Sequence, residues 1–333
     1  MKAAVIEKFN APWVIKELAD PKPKSGQVLI KIMASGMCGT DVHVHRGLFP
    51  VKLPLVAGHE PVGVIVEVGA GVTDFKIGDR VGVSWVQKGC GRCPYCQGQK
   101  PIYCSTPDGK ETWMNLGGGN SELMLAWKEG LTLLPDSLPF EVAAPLFCGG
   151  FTIASGLYNA RPKPGERVAV LGVGGLGHLA IQYAKAKGHY VLAITRSKDK
   201  IDLSKKLGAD EVVVGDNPGK ALKEAGGADI ILNTASSSTL ASQAIEGLLP
   251  EGRFIGMGID QDDLKVNPFF LLEGQREVKG SLQNKREELV DILNLAASGK
   301  VKPMLEIYSL SEINKALERL IDDKVRFRAV IKF

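Results

Sequence analysis

A large excess of charge of one sign is lacking in this chain. Forty-one Lys and Arg stand against 37 Asp and Glu, a net of +4 over 333 residues, too weak a field to draw the protein to nucleic acid. Long apolar runs are also lacking. The two uncharged stretches that approach membrane length, residues 142–160 and 168–184, carry Pro145 with three glycines and four glycines with His178; neither reads as a bilayer helix. The opening MKAAVIEKFN meets Glu7 and Lys8 before an apolar segment of signal-peptide length forms, so no export signal is expected, and the expected compartment is the cytoplasm. Internal repeats, low-complexity tracts and long charge runs are absent. Cysteine is sparse, at six. In a reducing compartment its spacing is read for metal or chemistry before disulfides.

What is present suits an ordered globular protein: 44% hydrophobic and 23% charged residues over a length that implies two domains at about 150 residues each. Up to about residue 135 the pattern is short β-branched runs closed by Gly, Pro and Asp turns, such as QVLIKIMAS and PVGVIVEVGAG. This half reads as β-rich. From Arg167 the rhythm becomes strand, glycine turn, helix, strand, as in VAVLGVGGLG, HLAIQYAKAKG and YVLAITRS, which specifies a parallel sheet covered by helices. The helices KREELVDILNLAASGKV and SEINKALERLIDD and the strand FRAVIKF close the chain; they are expected to rejoin the first half. The expected fold is α/β: a β-rich domain of residues 1–149 and 283–333, and a doubly wound dinucleotide-binding domain of residues 150–282.

Three groups carry chemistry. Cys90, Cys93, Cys96 and Cys104 form C-x2-C-x2-C-x7-C. Four thiolates this close suit one tetrahedral zinc, and a site filled by protein ligands is structural. An iron–sulfur cluster and unliganded buried cysteines are the alternatives. The second group is dispersed: Cys38 in MCGTDVH, His59 in AGHEPVG and Cys148 in LFCGGFT. Each alone reads as packing, but two thiolates and an imidazole together match a catalytic zinc site with its fourth position open. Zinc lowers the pKa of bound water from about 15.7 to about 7, which at about 1.36 kcal/mol per unit is roughly 12 kcal/mol of oxyanion stabilisation. The third group is Gly172, Gly174 and Gly177, a G-x-G-x-x-G that also holds Gly175 and Leu176, set between a β run and a helical pattern. Backbone amides at such a helix start meet a pyrophosphate. About twenty residues on, where an acid would bind the 2′-hydroxyl of NAD, stand Thr195, Arg196, Ser197 and Lys198. Arg196 suits a 2′-phosphate, so NADP(H) is favoured, with NAD(H) possible if Arg196 is only a surface charge.

The run GHEPVGVIVEVGAGV has the G-H-E-x2-G-x5-G-x2-V form of the zinc-containing medium-chain alcohol dehydrogenases, and MCGTDVH, the four-cysteine loop, AAPLFCGG and GVGGLGH follow in that family's order. The chain resembles this family over essentially its whole length, and within it the cinnamyl-alcohol-dehydrogenase-like and bacterial short-form branches. The resemblance implies a GroES-like catalytic domain beside a Rossmann domain, two zinc ions per chain, and hydride transfer between an alcohol or aldehyde and NADP(H). It implies that Cys38, His59 and Cys148 hold the catalytic zinc and that Glu60 stands behind it as an occasional ligand. Asp41 would fix the His59 tautomer, and Thr40 would pass a proton towards His43. Thr152 would lie in the cofactor site, and Phe49 and Trp85 would line the substrate pocket. The competing readings are a helix N-cap for Thr40, a solvated imidazole for His43, and core packing for Phe49 and Trp85. The resemblance also implies a homodimer or homotetramer acting on a small molecule, without nucleic acid or membrane. An NAD-dependent polyol dehydrogenase and a crystallin-like NADPH-binding protein are the alternative functions. Asn120, Ser121 and Leu123 depart from the family's GGYAEY-like segment, and Gly39 stands where some relatives carry a cation.

Overall fold

The computed structural model describes residues 1–333 except 107, 108, 113, 115 and 259. The chain divides into two compact units. The first comprises Met1–Cys148, Asn284–Arg286 and Pro303–Phe333. Its hub is the strand Gln27–Met37, whose burial pattern leaves only Lys31 exposed and Met33 half-buried; an apolar, β-branched run of this kind fills a sheet interior. It pairs antiparallel with Glu60–Val68, Leu123–Trp127 and Arg328–Lys332. The sheet runs from Leu131–Leu133 through Arg80–Val83, Glu60–Val68, the hub strand and Arg328–Lys332 to Leu305–Ser309. Val28, Ile30, Ile32, Ile65, Val81 and Met124 form a core cluster on it.

Register decides what the sheet presents. Gly36 faces Glu60 on one side and Val330 on the other. The hub strand therefore ends just before Cys38, beside the point where the neighbouring strand begins after His59, and Arg328 enters from the far side.

The second unit, Gly149–Gln283 with Glu287–Lys302, holds a six-stranded sheet, parallel throughout. Its order is Glu211–Val214, Tyr190–Thr195, Arg167–Leu171, Ala228–Asn233, Leu248–Gly256 and Glu277–Gly280. The order reverses at Arg167–Leu171, the topological switch point of a doubly wound fold, where ligands bind beyond the strand's carboxyl end. The helix Gly177–Ala186 follows that strand directly. Among the described residues, no single helix is long and apolar enough to cross a membrane.

The expected boundary, with residues 283–333 in the first domain, differs from the structure: from Glu287 on, helix Arg286–Ala297 belongs to the second unit. Its buried stripe Leu289, Ile292, Leu293 and Ala296 has the spacing of one helix face, a pattern that shows a face is covered without naming what covers it. The polar contacts name it: Ser155 Oγ donates to Glu288, and Tyr183 Oη donates to Asp291 Oδ2 at 2.6 Å. The Glu288 carboxylate is 6% exposed. Replacing Glu288 with Ala removes a charged partner from a buried hydroxyl and is expected to lower stability by about 1–3 kcal/mol, read from the urea midpoint. An unchanged midpoint would mean that the apolar stripe alone docks the helix.

Candidate metal centres and cofactor turn

Cys38, His59, Glu60 and Cys148 each bring one donor atom to within 4.8 Å of the others. Cys38 precedes the helix Gly39–His45 and caps it: its Sγ accepts from the Thr40 amide at 3.3 Å, while Asp41 Oδ2 accepts from the Cys38 amide at 2.9 Å. The sulfur's orientation is thus fixed by the helix start. Cys148 stands between the turn Ala144–Phe147 and the helix Gly149–Asn159. His59 Nε2 lies 3.2 Å from Cys38 Sγ and 3.8 Å from Glu60 Oε1, and its Nδ1 lies 3.6 Å from Asp41 Oδ2.

Burial governs the electrostatics. Asp41, His59 and Glu60 are 1%, 4% and 0% exposed. Desolvation lifts the Asp41 carboxyl to about 6 and that of Glu60 to about 7. Burial alone would lower His59, but the Cys38 thiolate and the Asp41 and Glu60 carboxylates outweigh it and raise the imidazole to about 10. Mutual hydrogen bonding draws Cys38 well below the thiol range and pushes Cys148 well above it. Arg328, 2% exposed, pairs with Glu60 Oε1. Two sulfurs and an imidazole converging in a buried, negatively charged pocket suit a borderline-soft divalent cation, and the donor types fit zinc.

Cys90, Cys93, Cys96 and Cys104 form the second group, again with sulfurs within 4.8 Å of one another. Their own loop supplies amides to them: Cys90 N to Cys104 Sγ at 3.4 Å, Cys93 N to Cys90 Sγ at 3.3 Å and Cys96 N to Cys93 Sγ at 3.4 Å. Backbone donation from Arg92 and Cys93 lowers Cys90 to about 6, while burial raises Cys96 to about 12. Four sulfurs gathered this closely suit the donor set of a closed zinc site.

At the switch point, Gly172 has φ +92°, a left-handed conformation that glycine adopts without strain. Thr234 Oγ1 ties the turn by donating to the Leu171 and Gly172 carbonyls, both at 2.9 Å. A Cβ at Gly177 would overlap the Gly172 carbonyl oxygen, whereas one at Gly174 meets nothing within 4 Å. Gly175 and Leu176 complete the turn, half-buried. Thr195 ends its strand at 7% exposure, with Arg196, Ser197 and Lys198 exposed beyond it. Thr152 is buried in the helix Gly149–Asn159. His178 is fully buried, with Nδ1 3.0 Å from the Gly174 carbonyl.

The remaining residues place as follows. Thr40 is not an N-cap, because Cys38 takes that position. His43 is half-buried with its ring 6.4 Å from that of Phe49. Phe49 packs on the core cluster around Met37 and Val42, and Trp85 is half-buried. Sequence reasoning missed Arg328. In FRAVIKF it stands at the start of a short apolar run, where a charge reads as solvent-facing; the acid it meets, Glu60, lies across the hub strand, a pairing that sequence does not show.

Fold and donor sets together define a metal-dependent oxidoreductase built from a β-rich domain and a dinucleotide-binding domain. Comparison with known proteins agrees. Residues 24–136 match the alcohol dehydrogenase GroES-like domain, and residues 175–298 match the zinc-binding dehydrogenase domain. The chain is 40% identical over 337 residues to an alcohol dehydrogenase of Geobacillus stearothermophilus, covering 100% of this chain and 99% of the relative. It is 35% identical to cinnamyl alcohol dehydrogenase 2 of Rauvolfia serpentina, covering 91% and 87%. Among solved structures, acetophenone reductase from Geotrichum candidum in complex with NAD superposes with TM-score 0.88 at 26% identity, over 100% of this chain and 97% of that one. The chain belongs to the zinc-containing medium-chain alcohol dehydrogenase family, whose members carry zinc and use a nicotinamide cofactor.

The two glycines of the turn separate by experiment. Gly174→Ala is expected to keep the wild-type Tm and weaken nicotinamide cofactor binding about tenfold or more, because the pyrophosphate needs close backbone approach there. Gly177→Ala is expected to lower Tm itself. Calorimetry beside a fluorescence titration with cofactor reads both; equal thermal loss in the two variants would contradict the steric distinction.

Proposed function

We propose that this alcohol dehydrogenase prefers NADP(H), holds two zinc ions per chain, and interconverts a primary or secondary alcohol with its aldehyde or ketone, running in the cell chiefly as an aldehyde reductase. The observation that carries the reading is the convergence of Cys38, His59 and Cys148. These three would hold the catalytic zinc, and Cys90, Cys93, Cys96 and Cys104 the structural one. When bound, zinc supplies a Lewis acid for the substrate oxygen and the nicotinamide gives or accepts the hydride.

The chain's own residues do the rest. Asp41 Oδ2, 3.6 Å from His59 Nδ1, favours the proton on that nitrogen electrostatically and so would leave Nε2 as the ligating nitrogen. Thr40 and His43, three apart on the helix Gly39–His45, share one face, so the Thr40 hydroxyl takes the alcohol proton and His43 hands it to solvent. Arg328 pairs with Glu60 beside the four donors, and so would limit the negative charge that the carboxylate adds to a bound cation. Phe49 and Trp85 narrow the substrate side. Arg196, with Thr195, Ser197 and Lys198, receives the 2′-phosphate. NAD(H) is the second reading, favoured by the NAD held in the similar acetophenone reductase. A polyol dehydrogenase would share the same site, whereas a crystallin-like NADPH-binding protein would have no use for the zinc donors.

We further propose a homo-oligomer, dimer or tetramer. The edge strand Glu277–Gly280 is exposed at every residue, and Phe269 and Leu272 are 67% and 75% exposed. An unpaired edge next to apolar side chains invites pairing with a second copy.

Cys148→Ser is expected to abolish turnover, to lower zinc content from near two to near one per chain, and to keep NADPH binding; full activity would remove the catalytic assignment. For the cofactor, Arg196→Asp is expected to shift kcat/KM from NADPH towards NADH by at least tenfold, equivalent to about 1.4 kcal/mol. Steady-state kinetics with both cofactors decides, and unmoved selectivity would favour the NAD reading.

A further inference from the structure

Gly36 sits in the hub strand directly opposite Glu60, and it is buried. A Cβ there would overlap Glu60 Oε2 and lie 2.9 Å from Cδ and 3.1 Å from Cβ of the same side chain. Glu60 Oε1 is bound by Arg328. Oε2 is buried and makes no hydrogen bond. Among the described residues nothing polar holds that oxygen in place, so the space left by the glycine's missing side chain is what accommodates it. The same carboxylate offers an oxygen within 4.8 Å of the donor atoms of Cys38, His59 and Cys148. In this one placement Oε1 stands at the edge of the donor set, 3.8 Å from His59 Nε2, while Oε2 occupies the space over Gly36.

We propose that Gly36 is a positioning residue, whose absent side chain provides the space that keeps Glu60 off the metal and the fourth position open. This rests on Cys38, His59 and Cys148 being the zinc ligands. A methyl group at position 36 fills that space. The 3.1 Å approach to Glu60 Cβ needs a shift of only a few tenths of an ångström; the larger overlap is with the flexible carboxylate end, which yields more easily than the hub-strand backbone, hydrogen-bonded on both sides, so the carboxylate moves towards the donor set. There it completes the coordination and excludes substrate.

The test uses the cobalt-substituted full-length protein. For each protein, subtracting the spectrum of the matching Cys148→Ser variant isolates this site from the four-cysteine one. Gly36→Ala is expected to shift and weaken the ligand-field band of the difference spectrum, as an added ligand does. It is also expected to slow metal loss to a chelator on the order of tenfold and to lower kcat by a similar factor, with the cofactor KM unchanged. Gly36→Ala/Glu60→Ala is expected to match Glu60→Ala alone in spectrum and metal retention. A folded Gly36→Ala protein with wild-type spectrum and retention would overturn the proposal. So would a double variant that keeps the Gly36→Ala shift, or a Gly36→Ala chain that fails to fold, since the carboxylate would then be unable to leave. If wild type shows no difference spectrum against Cys148→Ser, the ligand assignment itself fails, which is a separate outcome from a band that is present and unmoved.

Discussion

The antiparallel register of Gln27–Met37 against Glu60–Val68 is the constraint on which the first unit's chemistry depends. With Gly36 opposite Glu60, the end of one strand and the start of the next place Cys38 and His59 side by side. A slip of one residue would turn every side chain of the hub to the other face and separate them. The apolar residues Val28, Ile30 and Ile32 prevent that slip by filling the core, so ordinary packing sets the distance between two residues 21 apart in sequence. Arg328–Lys332 pairs on the hub's other edge and carries the guanidinium in from there. One strand, paired on both sides, assembles the two donors, the carboxylate and its counter-charge.

Concentrating ionisable groups in that place has an electrostatic cost. Removing an ion from water costs several kcal/mol even after relaxation, and Asp41, Glu60 and His59 are all almost fully buried. The raised carboxyls of Asp41 and Glu60 register that cost, and the raised imidazole of His59 shows how strongly the pocket calls for positive charge. Arg328 supplies one positive charge permanently. The four-cysteine loop meets the same problem differently, since three of its sulfurs accept backbone amides from the loop itself. Its donors are part-buried, and its order comes from local chain geometry rather than from long-range pairing.

That difference explains what could be read in the sequence. The loop cysteines declare themselves by spacing because the loop is local, and the glycine turn does so because strand, turn and helix are contiguous. Cys38, His59 and Cys148 are dispersed, and single-sequence periodicity carries no term for their convergence; only the family's motif order pointed to it. Arg328 and Gly36 were invisible for a deeper reason. A charge at the start of an apolar strand reads as solvent-facing, and a glycine in a strand reads as a weak point, until register sets Gly36 opposite Glu60 and the Arg328 side chain reaches the same carboxylate from across the hub strand. The helix Arg286–Ala297 was legible as a helix and misplaced as to domain, because an apolar stripe specifies burial and leaves the partner open.

In the proposed zinc site the charges then form a closed account. Two thiolates balance the divalent ion, Glu60 balances Arg328, and Asp41 leans on the imidazole whose tautomer it sets. Were Glu60 free to approach, its charge would add to that of the thiolates, and the ion would lose both its vacant corner and part of its pull on a substrate oxygen. Keeping a carboxylate near yet uncoordinated requires attraction elsewhere and space elsewhere. Arg328 provides the attraction at Oε1, and the bare backbone of Gly36 provides the space at Oε2, so the openness of the site is a property of two residues that touch neither metal nor substrate.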